Sequence, residues 1–340
     1  MGGCDIRTSG QMIASILARC TSLMFDTNIF GADNRDCRVT VSSRIKCPLA
    51  FQPWGDLFIS GTTAKPLMIA LLYGQASTGG AATLLWADED QAPLGWISAF
   101  GTINEDVVLK NRDKWNPSYA HIIDALGITK FYRAAKDLAS QYNDTFWRSY
   151  PEVLQFRQKL EDAYSHFMAQ QHGPAPCLGP TFVAPHGATY THTKWVLDMS
   201  AETWRFRAPV DGWKNGLDIS LKPMKNVASG HSLFVRLVHF VDAWFRHEVN
   251  MRIAALQLKL YGRIVGFGSV HDYWWVPVGM LRYMHGIVRA VLMKTMEVWP
   301  SIVDRFLIDN GQEPMRALSG GERKKFRRSV CRNRAFLSIG

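Results

Sequence analysis

Between Gly262 and Val278 the chain reads Gly-Arg-Ile-Val-Gly-Phe-Gly-Ser-Val-His-Asp-Tyr-Trp-Trp-Val-Pro-Val, with two β-prone apolar runs on either side of a polar His271-Asp272 pair. β-Branched and aromatic residues suit a pleated, half-buried surface, so this pattern predicts a strand, a tight turn and a returning strand. An antiparallel element late in the chain, with a carboxylate at its tip, is therefore required of any fold. An Asp in a turn ordinarily bonds its own backbone. It gains chemical meaning when a second carboxylate and a substrate surface are brought to it from elsewhere.

Most of the remaining chain carries helical spacing. Gln11 to Cys20 repeats apolar residues with a helical period, with Ser9 as a candidate cap and Asp5 just before the start. In Thr62–Gly74, Pro66 suits a first helical turn and Gly74 an end, and Lys65, Ile69 and Tyr73 share one face. Amphipathic segments follow around Tyr119–Tyr132 and Pro151–Gln170, and Gly173-Pro174-Ala175-Pro176 marks the clearest internal boundary. Beyond it, Thr181–Val196 is β-rich, and Thr203–Arg207 alternates aromatic and basic residues with period two. A hairpin between these two stretches is expected to present Arg205 and Arg207 on one face. A helix from about Leu233 toward Tyr261 precedes the His271-Asp272 hairpin, and an amphipathic helix over Gly279–Trp299 follows it. The pattern is α+β and helix-rich.

With 340 residues and 47% hydrophobic composition, the chain can bury one large core or two. Its net charge of +10 favours a polyanionic partner, and a plainly basic soluble protein is the ordinary counterpart of that reading. Six cysteines with no CxxC pair exclude a disulfide scaffold and a zinc ribbon and fit reduced thiols. No run of about 18 uncharged apolar residues predicts a membrane span. His239, Asp242 and His247 match no zinc spacing. From Arg316 onward stand eight basic residues and one acid, expected to form a solvated, phosphate-facing tail. Leu318-Ser319-Gly320-Gly321-Glu322 looks like the signature of transporter ATPases, but no phosphate loop accompanies it.

Taken together, these segments resemble the single-subunit DNA-directed RNA polymerases of T-odd bacteriophages and mitochondria. Asp5-Ile6-Arg7-Thr8-Ser9-Gly10 looks like motif A of that family, Lys65 with Tyr73-Gly74 looks like motif B, and Val270-His271-Asp272 looks like motif C. Val238-His239-Phe240-Val241-Asp242 is similar to the His-x-x-Asp segment that precedes motif C. The resemblance implies a right-hand palm-and-fingers architecture. Residues 1–60 would form the palm with motif A, 61–172 the fingers with the motif B helix, and 173–225 a region like the specificity hairpin. Residues 226–315 would complete the palm with the motif C hairpin, and 316–340 would form a basic C-terminal foot.

It implies roles as well. Asp5 and Asp272 would hold two Mg²⁺ ions, Lys65 would neutralise the triphosphate of an incoming NTP, and Tyr73 and His239 would sense its 2′-hydroxyl. Gly74 would leave room for the templating base, and Arg205 and Arg207 would read or position promoter DNA. The expected partners are a DNA template, an RNA product and NTPs, in the cytoplasm of an infected bacterial host or, secondarily, in mitochondria.

This sequence also departs from the family. Gly61 stands where motif B usually carries an Arg, shifting phosphate binding toward Arg44 or Lys46. Little chain precedes Asp5, so much of its strand is expected to be missing. The thumb and N-terminal regions would belong to a second polymerase subunit, making this chain the catalytic part of a split enzyme. The alternative is a noncatalytic nucleic-acid-binding protein with a degenerate polymerase fold.

Overall fold

The computed structural model describes residues 1–6, 9–30, 35–72, 77–88, 92–98, 101–171, 178–197, 200, 202–208, 217–222, 224–270, 272–332 and 337–339, with backbone only at 69–72, 195–197, 204–208, 217–220, 224–226 and 337–339. The chain opens with β1 (Gly2–Ile6) and α1 (Ser9–Leu17), then α2 (Thr21–Asp26), α3 (Cys37–Ser42), α4 (Gly55–Phe58), α5 (Gly61–Leu72) and α6 (Ser77–Leu85). Next come α7 (Glu105–Lys110), α8 (Ala120–Leu126), α9 (Ile128–Ser149) and α10 (Pro151–Ala169). Short strands β2 (Thr181–Val183), β3 (Thr189–Thr191), β4 (Trp195–Leu197), β5 (Trp204–Ala208), β6 (Leu217–Leu221) and β7 (Met224–Asn226) follow. The chain closes with α11 (Gly230–Tyr261), β8 (Gly268–Val270), β9 (Tyr273–Val276), α12 (Leu281–Asp309), α13 (Gly320–Arg332) and β10 (Leu337–Ile339). The fold is α+β, helix-rich, with a small antiparallel sheet. Among the described residues, no helix is long and apolar enough to cross a membrane.

That sheet has the order β10-β1-β9-β8 and joins both ends of the chain. The expectation that Asp5 lacks most of its strand is overturned. β1 is central, pairing with β9 on one side and β10 on the other. Alternation sends Cys4, Ile6, Trp274 and Val276 into the core, each at most 1% exposed. Burial of this kind is worth roughly 1.5–3 kcal/mol per large apolar side chain, which pins the register, because a one-residue slip would turn the whole set outward.

The long helices hold this sheet. α11 ends at Gly262 in the left-handed conformation (φ +66), where glycine carries no Cβ penalty, and α12 packs along it. Trp299 of α12 meets Trp244 and Phe240 of α11 edge-on, with ring centroids 5.6 Å away in each pair. α12 runs ten residues beyond the predicted Trp299, through Pro300. A proline inside a helix costs about 3 kcal/mol. Burial of Trp299, Val303 and Leu307 on one face outweighs that. In the turn after α1, Arg19 donates to Asp304 of α12 and, at 2.8 Å, to the Met315 carbonyl, tying the end of the N-terminal helix to the C-terminal segment.

Other elements differ from the periodicity. The Tyr119–Tyr132 segment is two helices, because Gly127 adopts φ +77 and breaks the helical path between α8 and α9. β5 pairs with β6, and the predicted hairpin partner, Thr181–Val196, forms β2, β3 and β4 instead, with β2 pairing β3 and β4 pairing β7. In the basic C-terminal stretch, the basic side chains of α13 are solvent-exposed, as expected, but they stand on a docked helix and not on a tail. α13 docks through buried Phe326 and Val330, with Phe326 edge-on to Phe30 at 6.1 Å. Its start is a capping box in which Glu322 N–H donates to Ser319 Oγ at 3.2 Å and Ser319 N–H donates to the Glu322 carboxylate at 2.7 Å. The transporter-like Ser-Gly-Gly-Glu string is therefore helix-start chemistry.

Candidate active site

Asp5 and Asp272 come from opposite ends of the chain and meet at the sheet. Asp5 pairs with Tyr273 in the β1–β9 register, and Ile6 N–H donates to the Asp272 carbonyl at 3.0 Å. The two carboxylates are one residue out of direct opposition, so their Cα atoms lie roughly 6 Å apart. Both are half-buried. Alternation points Asp5 away from Cys4 and Ile6, onto the open face of the sheet. Asp272 sits in the turn, where strand alternation no longer dictates its direction. Its neighbour at the tip, His271, lies outside the described residues.

The hairpin is clamped to α11 by two amides one above the other on the same helical face. Asn250 Nδ2 donates to Ser269 Oγ at 3.1 Å, and Trp274 Nε1 donates to Asn250 Oδ1 at 2.9 Å. Two turns on, fully buried Gln257 donates to the Gly266 carbonyl at 3.2 Å and accepts from Val265 N–H at 2.8 Å. The hairpin thus runs back along α11 toward its N-terminus. From Gln257 to Asn250 the helix rises roughly 10 Å, matched by three strand residues. By the same spacing the Asp272 tip stands near the level of Arg246. Sequence reading passed over Asn250 and Gln257. The available signal was two carboxamides spaced i, i+7 among the buried Val249 and Ile253 of a long helix.

His239 is exposed and lies on nearly the same face of α11 as Asn250, eleven residues earlier, or roughly 16 Å along the axis. It therefore looks toward the side where the hairpin tip ends, about 10 Å beyond it. Lys65 is exposed on α5, which packs against α3, α6 and α9, and none of the described contacts joins it to the carboxylate pair. Tyr73 and Gly74 lie outside the described residues. Arg205 and Arg207 are alternate residues of β5, opposite Ser220 and Asp218 of β6, so their shared face holds as a backbone register. The stand-in cations proposed for the motif B arginine sit beside α9, where the Arg44 guanidinium donates to Ser149 Oγ at 2.8 Å and Lys46 N–H to Gln141 Oε1 at 3.2 Å.

One carboxylate on a strand and one in the adjoining turn, with no cluster of three or more His, Cys, Asp or Glu among the described residues, make a sparse donor set. That composition fits Mg²⁺, a hard cation that takes one or two carboxylates and completes its shell with water and substrate phosphates. It does not fit zinc. Next to Asp5, burial pushes the Cys4 thiol up to about 11, and the Asp5 carboxylate adds to the rise. With no exposure on the packed face of the sheet, Cys4 is a packing residue. The sequence matches no protein-family model, and no curated protein matches it.

Proposed function

We propose that this chain carries the nucleotidyl-transfer centre of a DNA-directed RNA polymerase of palm-and-fingers architecture, working with a second subunit on a DNA template. The observation that supports this best is that Asp5 of β1 and Asp272 of the turn before β9 are brought to one end of a sheet whose other face buries Cys4, Ile6, Trp274 and Val276. They are also the residues on which the motif A and motif C resemblance rests. Asp5 and Asp272 would hold Mg²⁺, which when bound supplies Lewis-acid activation of an RNA 3′-hydroxyl and neutralises charge on the triphosphate.

The protein's own groups carry the rest of the work. Asn250 and Gln257 fix the hairpin, so that the carboxylates are set before substrate arrives and no reorganisation is required at the reacting centre. Lys65, from the fingers side, would place its ammonium against the triphosphate as charge shifts to the leaving pyrophosphate. Tyr73 and His239 would bond the ribose 2′-hydroxyl, and Arg205 and Arg207 would meet promoter phosphates or base edges.

The test is RNA-primer extension on a DNA template by the full chain together with whatever subunit co-purifies, read alongside Mn²⁺ binding in the presence of NTP. Asp5→Asn and Asp272→Asn are expected to abolish extension and weaken Mn²⁺ binding while leaving DNA binding intact. Undiminished extension by the Asp272→Asn protein, or a parent protein that binds no Mn²⁺ with NTP, overturns the proposal.

A further inference from the structure

The open face of the sheet carries aromatic rings where a polar surface is expected. On β9, Tyr273 and Trp275 point to the same side as Asp5, with Gly3 of β1 and Gly268 of β8 across from Trp275. Each ring lies across a glycine on a neighbouring strand. A Cβ at Gly3 would collide with the Tyr273 phenol, and a Cβ at Gly268 would collide with the Trp275 indole. The two rings stand 6.3 Å apart at 38°, neither stacked nor edge-on, and Tyr273 is 43% exposed. Val270, opposite Tyr273 on β8, is 54% exposed and extends the apolar surface.

Rings laid over cross-strand glycines help pin a sheet's register, but that role does not require the outward exposure of Tyr273 and Val270, which leaves apolar area facing water. Exposed rings are a good solution for stacking planar ligands, since every nucleobase has a π-face and base-on-aromatic stacking tolerates sequence. Charge points to the same class of occupant. The chain is +10 overall, and α13, with Arg323, Lys324, Lys325, Arg327, Arg328 and Arg332, leads into β10, the edge strand paired with β1 at Asp5. Such exposed cations attract phosphates without regard to sequence.

We propose that Tyr273, backed by Trp275, forms a stacking platform for a base of single-stranded nucleic acid, next to Asp5. The inference deepens the polymerase reading by assigning the platform to the strand end presented to the carboxylates, and its test separates the two. Fluorescence anisotropy of the full chain with a labelled single strand of about a dozen nucleotides, and with the same strand made abasic near its 3′ end, measures stacking directly. Tyr273→Ala is expected to weaken the normal strand by about 5- to 150-fold, as loss of one base–aromatic stack implies. Tyr273→Phe should bind within about twofold of the parent, because the ring face is kept. The abasic strand should bind the parent weakly and the Tyr273→Ala protein no more weakly still. An excess of mononucleotide should leave the strand bound.

Equal binding by parent and Tyr273→Ala, additive losses from the abasic site and the substitution, absence of strand binding by the parent, or displacement by mononucleotide would each overturn the platform. Asp272→Asn tells the two proposals apart. If it extends RNA normally while the stacking results hold, only the polymerase reading fails. If it abolishes extension while Tyr273→Ala binds like the parent, only the platform fails.

Discussion

Replacing Asn250 with Ala removes the outer of the two links between α11 and the Asp272 hairpin without touching either carboxylate. The substitution strands the indole N–H of Trp274, which is 1% exposed and has Asn250 as its acceptor, and frees Ser269 Oγ from the same side chain. An orphaned buried donor costs roughly 1–3 kcal/mol, and a lost net hydrogen bond about 1 kcal/mol. Gln257 still holds the base of the hairpin, so the cost falls on its outer half. A local cost of about 2 kcal/mol raises the population of the opened hairpin by roughly 30-fold. Native-state hydrogen exchange reads this at two amides, Ile6, which donates to the Asp272 carbonyl, and Trp274, which β9 pairs with Cys4. Both are expected to exchange about 30-fold faster, while core amides of α9 keep their rate, since local opening does not follow global stability. Unchanged exchange at Ile6 and Trp274, or acceleration spread evenly over the molecule, would refute the clamp. In the extension assay the same variant should lose turnover with Mn²⁺ binding reduced rather than abolished, as expected of a positioning residue.

Two further predictions concern the frame around the sheet. Arg19→Ala leaves the Asp304 carboxylate half-buried with its guanidinium partner gone and the Met315 carbonyl unpaired, so denaturant unfolding should show a loss of about 3–5 kcal/mol. A loss under about 1 kcal/mol would mean the pair behaves like an exposed one. At the start of α13, the Arg316 guanidinium beside Glu322, with the Ser319 backbone N–H and hydroxyl of the cap, holds the Glu322 carboxyl down at about 2. A depressed carboxylate stabilises the fold above the ordinary carboxylate range and loses that contribution as pH falls toward 2. Amides at the start of α13 should therefore lose exchange protection between about pH 4.5 and 2, and Glu322→Gln should remove the transition. Protection that is flat over that range would sink the capping assignment.

Several features were legible because their causes lie within a few residues. The turn at Asp272, the end of α11 before Gly262 and the start of α10 at Pro151 follow from turn and capping chemistry that neighbours in sequence supply. The break at Gly127 follows from a single positive φ that periodicity does not register. The run of α12 through Pro300 depends on burial against α11, and the docking of α13 depends on Phe30 some three hundred residues away. The amphipathic signal of α13 was overwhelmed by its charge, since Phe326 and Val330 are two apolar residues among many basic ones.

The same division runs through the candidate site. The sequence by itself determined which groups are present: a carboxylate before the first helix, another in a tight turn, a lysine on a helical face, and aromatic and basic residues alternating over Thr203–Arg207. Only the tertiary structure decided that β1 is central, that Asp5 lies beside Asp272, that Asn250 holds the hairpin, and that Tyr273 lies across Gly3 on an open face. The physical reason is the range over which each preference acts. Turns, caps and strand alternation are fixed by contacts between near neighbours, whereas strand order and the choice of covered face are settled by burying Cys4, Ile6, Trp274 and Val276 together, a gain that exists only once both ends of the chain have met.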